Sequence, residues 1–140
     1  MIIEPKVEWN EETGDVTIST WPGVNVAADL GEIAIQQGSD FTLNITHLDG
    51  TKAPVDYSSG YTASLVIEQQ HDSATAIATL THSDGITLGS GANNIVVTRT
   101  AAQIALWSTF VRALWRLVIM KTSTTTTTRL AEGTVVLRRA

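Results

Sequence analysis

The 140-residue chain contains no cysteine, only three prolines and only 6% aromatic residues. Without cysteine there are no disulfides and no thiolate metal sites. Its apolar runs all fall short of the roughly 18 residues that a membrane-crossing helix needs. The first residues, "MIIEPKVEWNEE", lack the basic start and long apolar stretch of a secretory leader, so the expectation is a soluble protein that folds where it is made. Catalytic signatures are equally scarce. There is no Gly-x-Ser-x-Gly elbow. "GSGANN" at 89–94 lacks the third glycine and the following helix of a dinucleotide loop and reads as a turn. Asn44-Ile45-Thr46 is a glycosylation sequon without a secretory route.

What is present is a globular composition, 43% hydrophobic and 16% charged, in a chain long enough for one domain with its own core. The net charge of −5 is unevenly laid out. Residues 1–98 hold thirteen of the fourteen acids against Lys6 and Lys52, a net −11; residues 99–140 hold seven basic residues against Glu132, a net +6. Either late strands neutralise early ones inside one domain, or two oppositely charged faces dock on a partner or on a second copy. Nucleic acid is an improbable partner for an acidic chain whose cations are spread along apparent strands.

Period-2 alternation dominates. In "DFTLNITHL", Phe41, Leu43 and Ile45 share one face; in "YTASLVIEQ", Tyr61, Ala63, Leu65 and Ile67 do the same. "ATAIATLTHSDGITLG" reads as strand, Asp84-Gly85 turn and strand; "NNIVVTR", "RALWRLVIM" and "RLAEGTVVLRR" are further strands. The period changes once. Thr100 with Gln103 three residues on is a capping-box pattern, and Ala101, Ile104 and Ala105 follow at helical spacing, predicting one short helix near residues 100–108. The expected fold is an all-β antiparallel sandwich, jelly-roll or immunoglobulin-like, over residues 38–140, preceded by an extended N-terminal segment at 1–37. In that segment "VEW" and "DVTISTW" are short β-like pieces, and Trp21-Pro22-Gly23 ends the second.

Five threonines, residues 124–128, separate the last two strands. A mucin-like stalk is longer and proline-rich. The run therefore reads as two β-branched strand ends around a polar, mobile turn whose register nothing pins. His47-Leu48-Asp49-Gly50 and His82-Ser83-Asp84-Gly85 echo each other, but no third ligand stands at fixed spacing. The expectation is Asp-Gly turns beside strand-end histidines, with no metal, no cofactor and no catalytic residue. Replacing both histidines by alanine is then expected to leave stability nearly unchanged. His71-Asp72 falls in a polar loop. Of the four tryptophans, Trp107 and Trp115 fall in core-like patterns. Trp9 and Trp21 either staple the N-terminal segment to the body or anchor a partner.

The pieces "DFTLNITHLDGTKAPVDYSSGYTASLVI", "GITLGSGANNIVVTRTAAQIA", "LWRLVIMK" and "RLAEGTVVL", in that order, resemble a group of small β-sandwich domains in tailed-phage virion proteins. The resemblance spans roughly residues 38–137. It departs at the last hairpin, where threonines replace a Gly- or Asp-containing turn, and at Trp115-Arg116, where a Tyr-Asp pair is common. It implies a virion structural protein rather than an enzyme. Because the chain ends after the sandwich, the expectation is a capsid decoration or cement protein bound to the major capsid protein and self-associating as a homodimer or higher oligomer. A tail or baseplate connector and a carbohydrate-binding module are the alternatives. The residues expected to meet the partner are Trp9, Trp21, Arg138 and Arg139.

Overall fold

The structure is a computed structural model that describes residues 4–21, 26–69, 76–107 and 112–138. Among the described residues ten strands form two packed five-stranded sheets. One sheet has the order β1-β2-β4-β8-β7, from β1 (Lys6–Trp9), β2 (Val16–Ser19), β4 (Phe41–Leu48), β8 (Ile95–Arg99) and β7 (Ile86–Leu88). The other has the order β3-β10-β9-β5-β6, from β3 (Ala28–Gln36), β10 (Thr126–Arg138), β9 (Arg112–Lys121), β5 (Tyr61–Glu68) and β6 (Ala78–Thr81). The only helix among the described residues, α1 (Ala101–Ile104), joins β8 to β9. Alternate residues of the facing strands meet in one core, where Ile18, Ile45, Ile95 and Leu117 are fully buried. Each such side chain contributes roughly 1.5–3 kcal/mol of apolar burial.

The all-β sandwich with one short helix is thus the architecture. Its sheets are mixed rather than purely antiparallel, because β2 pairs parallel with β4 and β3 pairs parallel with β10. Parallel neighbours need a long crossover. For β2 and β4 that crossover carries β3, which lies in the opposite sheet. The expected division at residue 37 does not hold at the level of strands, since β1, β2 and β3 all come from residues 1–37 and are hydrogen-bonded into the two sheets.

β3 escapes a period-2 reading for a definite reason. Ala28 and Leu30 are buried at even positions, whereas Ile33 and Ile35 turn inward at odd ones. The phase slips at Gly31, which has φ +71°, and the register runs from Asp29 opposite Glu132 to Glu32 opposite Thr134. One extra residue in β3 makes a bulge at a glycine that can take the left-handed conformation. β10 answers at the same place with Gly133, whose missing Cβ lets the Gly31 carbonyl approach: a Cβ there would lie 2.4 Å from that oxygen and 3.0 Å from Trp115 Nε1.

The helix follows its sequence signal closely. Gln103 N–H donates to Thr100 Oγ1 at 3.2 Å, and Thr100 N–H donates to Gln103 Oε1 at 2.9 Å. This reciprocal cap ends the strand and drops Ile104 into the core. Residue 108 lies outside the described residues. Trp115 is core and Trp107 packs partly against it.

The charge asymmetry resolves inside the domain. Arg99 pairs with Asp84 at 2.9 Å, Arg112 with Glu32 at 2.7 Å, and Arg116 with the buried Glu68. Each pair joins a late cation to an early acid. For Arg112 and Arg116 the strand order makes this possible, setting β9 beside β5 and one strand from β3, whereas Arg99 of β8 meets Asp84 in the turn before β7.

Candidate binding surface

β4 continues its inward row past Phe41, Leu43 and Ile45 to His47, which is 8% exposed. Both ring nitrogens are engaged. Nδ1 lies 2.5 Å from the Tyr57 hydroxyl and Nε2 lies 2.7 Å from Thr20 Oγ1. Burial pushes the imidazole down to about 4, against the opposing pull of the nearby Asp49 carboxylate. At neutral pH the ring is therefore uncharged, with one nitrogen donating and the other accepting. Burial, with Tyr61 adjacent, also raises the Tyr57 phenol. Asn94, fully buried, clips the strand to its loop: its amide nitrogen donates to the His47 and Val55 carbonyls at 3.0 and 2.7 Å, and its oxygen accepts from His47 N–H at 2.8 Å.

This overturns the expectation that His47 is a dispensable strand-end residue. It is a core side chain whose polar atoms are matched by two hydroxyls. Asp49 instead folds onto its own turn, accepting from Thr51 and Ala53. His82 and Asp84 diverge, with Asp84 held by Arg99. Among the described residues no three metal-ligating side chains cluster. His71 and Asp72 lie outside the described residues.

Above His47 the β9–β10 hairpin extends past the sandwich. Its turn is residues 122–125, and Thr126 pairs with Lys121. The register is held by Thr122, whose N–H and hydroxyl both donate to the Gly60 carbonyl, at 2.9 and 3.1 Å. The threonine run thus supplies a turn and a strand start, as the sequence indicates, but its register is tied to a neighbouring loop rather than left unpinned. Thr125 takes φ +51°, a left-handed conformation that a β-branched residue adopts at a cost. Two clefts share His47, Thr128 and Leu130 as a common wall. The larger, about 540 Å³, faces Thr20, Trp21, Val26 and Ala27; the smaller, about 400 Å³, faces Tyr57, Tyr61 and Lys121.

The residues singled out from the sequence do not converge on one spot. Trp9 ends the edge strand β1, opposite Val16, and is 41% exposed; Trp21 lies just past β2 and is 40% exposed. Trp9 is on the sheet edge, whereas Trp21 follows the interior strand β2, so the two are separated by on the order of 15 Å of extended chain. Trp21 stands beside the threonine end of β10, while Arg138 ends that strand at the far side of the sandwich. Arg139 lies outside the described residues. Of the four, Trp21 lines the larger cleft, together with His47, Thr127 and Thr128, which the sequence singles out for other reasons. His47 had a signal, the continued alternation of β4. Tyr57 and Asn94 come from loops and had none. No protein-family model matches this chain, and no curated protein matches it in sequence.

Proposed function

We propose that this protein is a structural component of a phage virion, a capsid decoration or cement protein that attaches to the major capsid protein and stabilises the shell. The observation that carries the attachment role is the pair of half-exposed tryptophans on a well-packed sandwich, Trp9 at the end of the edge strand β1 and Trp21 just past the interior strand β2. Large aromatics left in water cost burial that a partner restores, and tryptophan dominates interface hot spots. The resemblance of residues 38–137 to virion sandwich domains supports a partner within the virion. Attachment at many lattice sites turns individually weak contacts into persistent binding, and sites on two-fold axes favour self-association.

The test is occupancy. Purified protein is added to emptied capsids and, separately, to tails, and bound copies are counted. Copies on the order of hundreds per capsid support the cement role, as expected for a lattice-wide ligand. Binding to tails alone, at a few copies, replaces it with a tail or baseplate connector. Trp9→Ala and Trp21→Ala are expected to fold with near-native melting temperature and to lower occupancy. Unchanged occupancy in both variants removes the tryptophans from the account.

A further inference from the structure

His47 ties two separate segments together at one end of the sandwich. It is the last inward residue of β4, and its ring lies between two hydroxyls from distant parts of the chain. On one side is Thr20, which links β2 to the half-exposed Trp21. On the other is Tyr57, in the loop that joins β4 to β5. Tyr57 is buried and meets Tyr61 edge-on, with ring centroids 4.8 Å apart. Nearby backbone bonds run from Thr20 N–H to the Leu48 carbonyl at 3.0 Å, from Val55 N–H to the His47 carbonyl at 3.0 Å, and from Tyr57 N–H to the Gly89 carbonyl at 2.9 Å.

A neutral ring suits this slot, because one nitrogen donates to one hydroxyl and the other accepts from the second. A protonated ring donates from both nitrogens. The hydroxyl that had been donating then loses its acceptor, and an imidazolium is left buried between two neutral partners. We propose that His47 is an acid-sensitive latch: a proton on its ring breaks the tie between Thr20 and Tyr57 and opens this end of the molecule while both sheets stay paired. The ring already lines the smaller cleft with Tyr57 and Lys121, so it reaches water by turning and by movement of the Tyr57 loop. The fully buried Ile18, Ile45, Ile95 and Leu117 need not move. A local opening of this kind costs less than global unfolding.

Charges reach the ring from several elements. Asp49, just past β4, opposes the effect of burial. Asp56 precedes Tyr57 in its loop. Hydrogen bonds from Thr51 and Ala53 to Asp49, and from Ser58 to Asp56, hold both carboxyls below the usual carboxylate range, so both stay ionised above about pH 5. β9 contributes Lys121, and β10 contributes Arg129 and Glu132. Thr20, Asn94 and the two tyrosines add hydroxyl and amide groups. In the opened state the ring titrates near its ordinary 6.5, so that state gains the proton first as pH falls. Opening therefore grows below about pH 6.5 and levels off below about pH 4.

The latch goes beyond the attachment role and does not depend on it, since every readout comes from the free chain. Amide hydrogen exchange of the full chain is followed between pH 7.5 and 5, corrected for intrinsic rates, with and without low urea. The amides of Thr20, Val55 and Tyr57 should open by a route that low urea does not promote, and the opening equilibrium should grow roughly tenfold or more from pH 7.5 to 5. The amides of Ile45 and Leu117 should stay more strongly protected at each pH. His47→Gln, which keeps a neutral hydrogen-bonding side chain, should remove the pH dependence at the three amides, and Glu132→Gln should keep it. Opening of the three amides only together with Ile45 and Leu117, with the same urea dependence, overturns the proposal. So does opening that pH leaves unchanged in the wild-type chain, or a pH dependence that survives His47→Gln and vanishes in Glu132→Gln. If His47→Gln does not fold, the wild-type and Glu132→Gln measurements still decide.

Discussion

The two halves of β10 are made of similar residues and do different work. "TTTR", residues 126–129, and "TVVL", residues 134–137, are both rich in β-branched side chains. The second half has a strand on each side and sends Val135 and Leu137 into the core. Among the described residues the first half has a strand on one side only, and it is exposed. Strand propensity does not distinguish them; neighbours do. The half held on both edges is scaffold, and the exposed half forms a wall of the two clefts beside His47.

The largest expected break in this contrast is at Gly133 in the buried half. A methyl group 2.4 Å from the Gly31 carbonyl oxygen cannot be accommodated without moving backbone. Gly133→Ala is expected to destabilise by about 3–5 kcal/mol, read by urea unfolding. An alanine at Thr127 in the exposed half should change stability by no more than about 0.5 kcal/mol.

The next effect is in pH, at the junction under the hairpin. His47 titrates at about 4 when folded and near its ordinary 6.5 when unfolded. Between those values the unfolded chain binds the extra proton, so stability is full above about 6.5, falls as pH is lowered, and levels off below about 4. The loss is on the order of 3 kcal/mol. Denaturant unfolding from pH 7.5 to 4 checks it, and His47→Gln should flatten the His47-dependent part of the profile while lowering stability at neutral pH.

The smallest effect sits at the tip. Thr125→Gly relieves the left-handed conformation at φ +51° and is expected to raise stability by up to about 1 kcal/mol, seen as a melting temperature higher by a few degrees. An unchanged or lower value means that the Thr125 hydroxyl bond to the Thr124 carbonyl outweighs the strain.

How much of this was legible follows from where the determining contacts lie. The capping box at Thr100 and Gln103 is local, and it appears in the structure as read. The strands β4, β5, β8 and β9 alternate without interruption and were legible for that reason. β3 was not, because the bulge at Gly31 splits its apolar positions into two phases, and only the partner Gly133 explains the split. Pairing order is a long-range property, so neither parallel pair was foreseeable. For the binding surface, Trp21 was visible as an aromatic outside the regular strands. The cleft around it was not, because it depends on Leu130 turning inward at the bulge of β10 and on the two sheets bringing His47 of β4 opposite Thr128.

The most direct test of the central claim is backbone hydrogen exchange of the full chain, free and bound to emptied capsids. In the free protein the amides of residues 131–137 should be protected, while those beside the half-exposed Trp9 and Trp21 exchange faster. On the particle the segments around Trp9 and Trp21 should become protected. Protection that rises elsewhere in the sandwich while both tryptophan segments exchange as before would contradict their role in attachment.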